Sequence, residues 1–242
     1  MLNCKRSSVL LLLLISSITS CRQVDRPSTD TPPVVEVVSN TPPFPTREPE
    51  RYRAVRTIIQ TEPGGKTTTL KTNIFRDGPS RREELETDNA PTLVYLERSG
   101  QRFLLLPDEK IYSEIDSQFA LPNSFDDNAN ESSPDRLLHT EPVQTAYQKL
   151  SDEVLDGKTV SKYKVTVNNA SSGSVSNSVT LVWIDEKLGM PVKSEMSAAN
   201  GVQTTMRLSE ISLEVNPDGF EIPTSYRKVA VQEIVGRTKR TE

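Results

Sequence analysis

The side chains that could do chemistry are few, and their spacing argues against chemistry. The chain has one histidine, His139, in 242 residues. Ser133 and Asp135 precede it, but a hydrolytic triad needs the base against the nucleophile and a carboxylate behind the base. On a helix beginning at Ser133 those three positions do not align. Glu83 and Glu84 are adjacent in an extended run, so they face opposite sides and cannot flank one glycosidic bond. "PSRREELE" reads instead as a solvated edge strand whose charges discourage aggregation. Gly65-Lys66-Thr67 copies the tail of a phosphate-binding loop. Gln60 stands where that loop needs its first glycine, and Thr67 to Leu70 is strand-like where a helix N-terminus is needed. A hairpin turn fits better. "DDNANESSPD", residues 126–135, gathers carboxylates but lacks the glycine and closing glutamate of a calcium loop. The cysteines, Cys4 and Cys21, both lie in the first 21 residues. The folded part therefore has no thiol for a disulfide, a thiolate metal site or a cysteine nucleophile. The expectation is a protein that is not an enzyme, with no catalytic residue, no cofactor and no metal.

The N-terminus carries a different kind of information. In "MLNCKRSSVLLLLLISSITSC", Lys5 and Arg6 precede a short apolar run from Val9 to Ile15. That run is too short to span a bilayer and reads as a secretory signal over residues 1–20. Ile18-Thr19-Ser20-Cys21 resembles the bacterial lipobox. The resemblance implies lipidation of Cys21, palmitate among the acyl groups, and a membrane partner through that anchor. Several acyl chains on one residue would hold it almost permanently, since each buried CH₂ contributes about 0.8 kcal/mol. Arg22 stands where aspartate would mark inner-membrane retention, which favours the outer membrane, facing the periplasm. The net charge of −4 gives no footing for nucleic acid.

The elements follow from the rest of the pattern. Residues 21–50 hold the lipidated cysteine and then a proline-rich segment, Pro27 to Pro49, with little to bury. It reads as an extended tether reaching roughly 30 Å as a coil and up to about 90 Å as polyproline II. From Arg51 short β-branched runs alternate with Gly, Pro and Asp turns, an antiparallel meander. Six strands fit between Arg51 and Ile115. Ser133-Pro134-Asp135 then reads as a helix start, with Leu137 and Leu138 giving a short helical lid its apolar side. Five more strands follow, from "AYQKLSDEVL" to "VQTTMRLSEISLEV", and residues 231–242 read as a flexible tail. In "SVTLVWIDE" the set Val179, Leu181 and Trp183 faces one way, with Val182 and Ile184 facing the other. Both faces of these central strands are apolar, so both should be covered.

"PTREPERYRA", "IFRDGPSRREE", "FLLLPDEKIYSEI", "VWIDEKLGMPVKSEM" and "FEIPTSYRKV" together resemble LolA/LolB-like periplasmic proteins and lipoproteins, over residues 44–230. The resemblance implies a mainly β fold: a strongly curved antiparallel sheet of about eleven strands, an unclosed β-barrel over residues 51–230, with a helical lid insertion. It also implies a concave face that holds lipid, the acyl chains of a lipoprotein, or another envelope protein, with a place in trafficking to the outer membrane. One departure is visible. The carriers begin with an amphipathic helix that forms part of the lid, and here that place is taken by the proline-rich tether. Tyr95, Phe103, Leu105, Tyr112, Trp183, Met196 and Met206 are the expected ligand-binding wall, with ordinary core as the competing reading of the same residues.

Overall fold

The computed structural model describes residues 36–38, 41–44, 47–87, 90–116, 145–171 and 174–238. Cys21, Leu137, Leu138 and His139, and with them the expected anchor and lid, lie outside the described residues. Within them one sheet of thirteen strands dominates, curved and unclosed. Eleven are the expected meander: β2 (Arg51–Thr61), β3 (Thr67–Asp77), β4 (Ser80–Thr87), β5 (Ala90–Arg98), β6 (Gln101–Leu106), β7 (Ile111–Ile115), β8 (Thr145–Leu155), β9 (Lys158–Ser171), β10 (Ser174–Asp185), β11 (Met190–Ser197) and β12 (Gln203–Ser212). Two short strands extend the edges. β1 (Glu36–Val38) pairs antiparallel with β8, and β13 (Arg227–Lys228) pairs parallel with β7. β12 lies beside β2, so the two halves of the chain meet in the middle of the sheet, with β7 and β8 towards opposite ends of the strand order.

The register sorts side chains into two faces. One cross-strand row runs Leu208, Arg56, Thr72, Leu85, Leu93, Leu106, Ile111 from β12 to β7. A neighbouring row on the other face runs Arg53, Phe75, Arg82, Leu96, Phe103 from β2 to β6. The first face holds three of the buried apolar clusters and is covered almost continuously from β8 to β7. Curvature draws side chains together on the inside of a sheet and splays them on the outside, so this is the inner face. The outer face carries two clusters of its own, as the two-sided apolar strands lead one to expect.

Three expectations need correction. The tether is not wholly extended and free, because β1 pairs with β8 and Phe44 is buried against β8, β9 and β10. The segment beyond Val231 is not a flexible tail throughout, since Val231–Thr238 forms helix α1. Its apolar side is Val231, Ile234 and Val235, the i, i+3, i+4 spacing of one helical face. Ile234 is fully buried against the inner side of β5, β6 and β7. So short an apolar stripe stabilises a helix only where a sheet covers it. Finally, β4 is no solvated edge. It lies between β3 and β5, and Glu83 is buried.

Candidate ligand cavity

After β12 the chain crosses the outer face as a strap, residues 213–226. Val215, Phe220, Ile222 and Tyr226 pack on Val94, Leu96, Phe103, Leu105, Phe75 and Tyr112. The strap bends through a short 3-10 turn, Pro217–Phe220. Asn216 starts the turn by accepting a hydrogen bond from the Asp218 amide at 3.1 Å, and Pro217 cannot donate at the position where a donor would be idle. Three arginines of the sheet pin the strap. Arg51 donates to the Val215 carbonyl at 3.2 Å, Arg82 donates to the Gly219 carbonyl at 3.2 Å, and Arg98 pairs with Glu221. Beyond it, the Arg227 and Val229 amides bond to the Lys110 and Tyr112 carbonyls at 2.9 and 2.8 Å, which fixes β13 on β7.

Between this strap and the outer side of β2, β3 and β4 lies a cavity of about 660 Å³. Phe75, Val215, Phe220 and Pro223 give it apolar walls. Its charged lining is Arg53, Arg82, Glu84, Glu214, Asp218 and Glu221. Arg82 is committed to Glu84 at 2.7 Å. Arg53 has no ion pair among the described residues and is exposed at the mouth. The volume falls within the range of small-molecule sites, and apolar walls with a few polar groups are their usual chemistry. Such a space can hold an apolar or amphiphilic ligand. Among the described residues no cluster of His, Cys, Asp or Glu could hold a metal.

The expected wall of seven residues does not exist as one surface. Tyr95, Met196 and Met206 face inward, and Phe103, Leu105, Tyr112 and Trp183 face outward. Trp183 and Met196 belong to one hairpin, but Met196 is opposite Thr180 and Trp183 is opposite Lys193, so the two side chains leave the sheet on opposite sides. Phe103, Leu105 and Tyr112 lie under the strap and are filled by the chain itself. The Trp183 ring is clamped: the Nζ atoms of Lys193 and Lys162 stand 4.2 and 4.7 Å from its centroid, and its indole N–H donates to Glu153 at 2.6 Å. That hydrogen bond, with a second from Lys162, holds the Glu153 carboxyl below its ordinary range. Tyr95 donates its hydroxyl to Glu97 at 3.2 Å, and burial together with that carboxylate pushes it up to about 12. Phe75, Val215 and Phe220 were not among the expected residues. The signal was present, since Phe75 stands on the same face as Phe103 by alternation, but the strap's course was not legible.

The inner face is closed at its centre by an ion network. Glu83 accepts from Arg56 at 2.9 Å and from Arg81 at 2.6 Å. Glu48 accepts from Arg81 at 2.9 Å, from Arg76 at 3.0 Å and from the Tyr52 hydroxyl at 3.0 Å. Burial would raise the Glu83 carboxyl, but Arg56 and Arg81 outweigh it and hold the group below its ordinary range. Burial first, and Glu48 second, push the Tyr52 phenol well above its ordinary value, so it remains a donor. The glycines of the suspected phosphate loop, Gly64 and Gly65, have φ of 109° and 87° and form the β2–β3 hairpin turn.

No family profile matches the chain, and no curated protein matches it. Solved structures do. The chain is similar to a LolA superfamily protein from Nitrosomonas europaea at 14% identity and a TM-score of 0.34, covering 75% of this chain and 94% of that one. It is similar to MucB, solved in complex with MucA(peri), at 13% identity and a TM-score of 0.41, covering 74% of this chain and 57% of MucB. A DUF1329 family protein from Desulfovibrio piger matches at 12% identity and a TM-score of 0.30, covering 71% and 90%.

Proposed function

We propose that this is a non-catalytic, lipid-anchored protein of the bacterial cell envelope that binds a lipid or acyl chain between the strap and the outer face of its sheet. The cavity of about 660 Å³ beside Phe75, Val215 and Phe220 carries the reading. Its walls suit an acyl chain, and its charged mouth suits a headgroup left partly in water. The lipobox at Cys21 supports an address on the outer membrane facing the periplasm, where such a ligand is at hand. A part in lipid or lipoprotein trafficking follows from that address.

The test uses the mature chain from Cys21 onward, made without acyl groups, and titrates it with cis-parinaric acid, an acyl chain that fluoresces when it leaves water. A Cβ placed on Gly219 meets nothing within 4 Å, and Gly219 lines the cavity. Gly219→Phe therefore meets no clash at its Cβ, and a ring at this lining position should obstruct the cavity. Saturable uptake by the native chain, lost in Gly219→Phe at unchanged circular dichroism, is the expected result. Uptake equal in both would sink the assignment to this cavity.

A second reading has one observation in its favour. Four acidic residues and two arginines line the cavity, so its mouth is net acidic. An interaction module that takes a basic, apolar segment of another envelope protein would use that charge. A native chain bare of lipid, with a stoichiometric protein partner lost in Gly219→Phe, is what this reading expects.

A further inference from the structure

The charges around the outer cavity fall into two layers, and most of them are already paired. The floor is a row of the sheet: Arg53 of β2, Phe75 of β3 and Arg82 of β4 are cross-strand neighbours, with Glu84 two residues along β4. The roof is the strap, which contributes Glu214, Asp218 and Glu221. Arg82 is neutralised by Glu84 at 2.7 Å and also donates to the Gly219 carbonyl. Glu221 is neutralised by Arg98. Three lining charges have no ion pair among the described residues: Arg53 on the floor, and Glu214 and Asp218 on the roof. All three are exposed.

The backbone fixes where these groups stand. Arg53 is paired across the sheet with Ser212, the last residue of β12, and Glu214 lies two residues beyond it. The Glu214 amide donates to the Ser212 hydroxyl at 3.1 Å as the chain leaves the sheet. The Asp218 amide donates to the Asn216 side chain at 3.1 Å, which holds Asp218 in the first turn of the 3-10 segment. Opposite charges thus line one apolar space from two sides without meeting each other. An anion alone would satisfy Arg53 and be opposed by two carboxylates. A cation alone would leave Arg53 idle and be repelled by it. A ligand that carries both charges uses all three groups.

We propose that the cavity selects a zwitterionic amphiphile whose head carries a phosphate and a primary ammonium, as a phosphoethanolamine lipid does. Arg53 takes the phosphate, because a guanidinium fork matches phosphate oxygens through parallel hydrogen bonds. Glu214 and Asp218 take the ammonium, whose three N–H donors suit carboxylate acceptors. The apolar tail lies against the walls of the cavity. A phosphoglycerol lipid satisfies the floor only, and its charge is uncompensated beneath the acidic roof. Selectivity then comes as much from that repulsion as from the favourable pairs. The inference rests on the lipid-binding reading of this cavity and adds the head group that the cavity prefers.

The experiment is isothermal titration calorimetry of the mature, unacylated chain with three single-chain probes of equal chain length, each kept below its micelle concentration. They are lysophosphatidylethanolamine, lysophosphatidylglycerol and the corresponding alkylamine. The native chain should bind lysophosphatidylethanolamine about tenfold more tightly than either of the others, the scale of one partly exposed charge contact. Glu214→Gln/Asp218→Asn should bring lysophosphatidylethanolamine down to the level of lysophosphatidylglycerol. Arg53→Gln should weaken both phospholipids about tenfold. Circular dichroism confirms that each variant is folded, as expected for exposed side chains without ion pairs. Equal binding of the two phospholipids by the native chain overturns the head-group inference and leaves the lipid reading standing. A preference that survives Glu214→Gln/Asp218→Asn overturns it as well. So does an alkylamine bound as tightly as lysophosphatidylethanolamine, since the roof would then be taking a cation alone. Failure to bind any of the three sinks the lipid reading and the inference together.

Discussion

The two faces of the sheet are built from similar residues and closed by different means. The inner face is covered by parts of the same chain, Phe44 at one side and α1 at the other, with an ion network between them. Among the described residues, the outer face over β2 to β6 is covered by the strap, which packs tightly over β5 and β6 and stands off from β2 and β3. Apolar residues on both sides of a strand thus do not say where a ligand goes. On the inner face burial and ion pairing consume the available surface at the centre. On the outer face the same surface remains open wherever the covering segment departs from the sheet. Among the described residues, the cavity lies where the strap leaves the sheet.

The largest expected effect breaks the closed face. Glu83 holds Arg56 and Arg81 together in a buried site, so Glu83→Gln leaves two arginines without their common partner. Removing one member of a buried pair costs about 3–5 kcal/mol, and urea unfolding followed by circular dichroism should show a loss of that order. The same group gives the closed face a pH dependence. Because the folded-state carboxyl is held below its ordinary range, its contribution is complete above about pH 4.3, the ordinary glutamate value. It is lost as pH falls below that through the depressed folded value. The native chain should therefore lose stability in acid more steeply than Glu83→Gln.

Ile234→Ala comes next. Truncating a fully buried aliphatic side chain costs about 2–4 kcal/mol. Here the loss should be confined to α1 and the inner side of β5 to β7, with hydrogen exchange rising in residues 231–238 first. A uniform rise across the sheet would mean that α1 closes more than its own corner. Trp183→Phe should have the smallest effect, about 1 kcal/mol, from the lost indole hydrogen bond to Glu153 and weaker attraction of two lysines to the ring. Acyl-chain uptake should not change in Trp183→Phe. A loss of uptake would return Trp183 to the ligand site and blur the contrast between the faces.

Much of the fold was legible in the sequence because strands and hairpins are local. The turn at Gly64-Gly65 and the alternation of Val182 with Trp183 depend on a few adjacent residues. The eleven strands from Arg51 to Ser212 follow from such signals. The site was not legible in the same way. Phe103 and Tyr112 are as apolar as a ligand wall should be, yet Phe220 and Tyr226 come from more than a hundred residues away to cover them. Trp183 and Met196 stand on one hairpin and still face opposite ways, because the pairing of Trp183 with Lys193 fixes which side each takes.

Residue types at short spacing were enough for the period-two pattern, the turns, the lipobox-like run Ile18–Cys21 and the poverty of catalytic groups. The tertiary structure alone decided that β4 is central and Glu83 buried, that Phe44 leaves the tether for the inner face, and that the strap stops short of closing over Phe75. Those outcomes depend on contacts between segments distant in the chain. A side chain's burial is set by what finally lies above it, and local spacing carries no record of that.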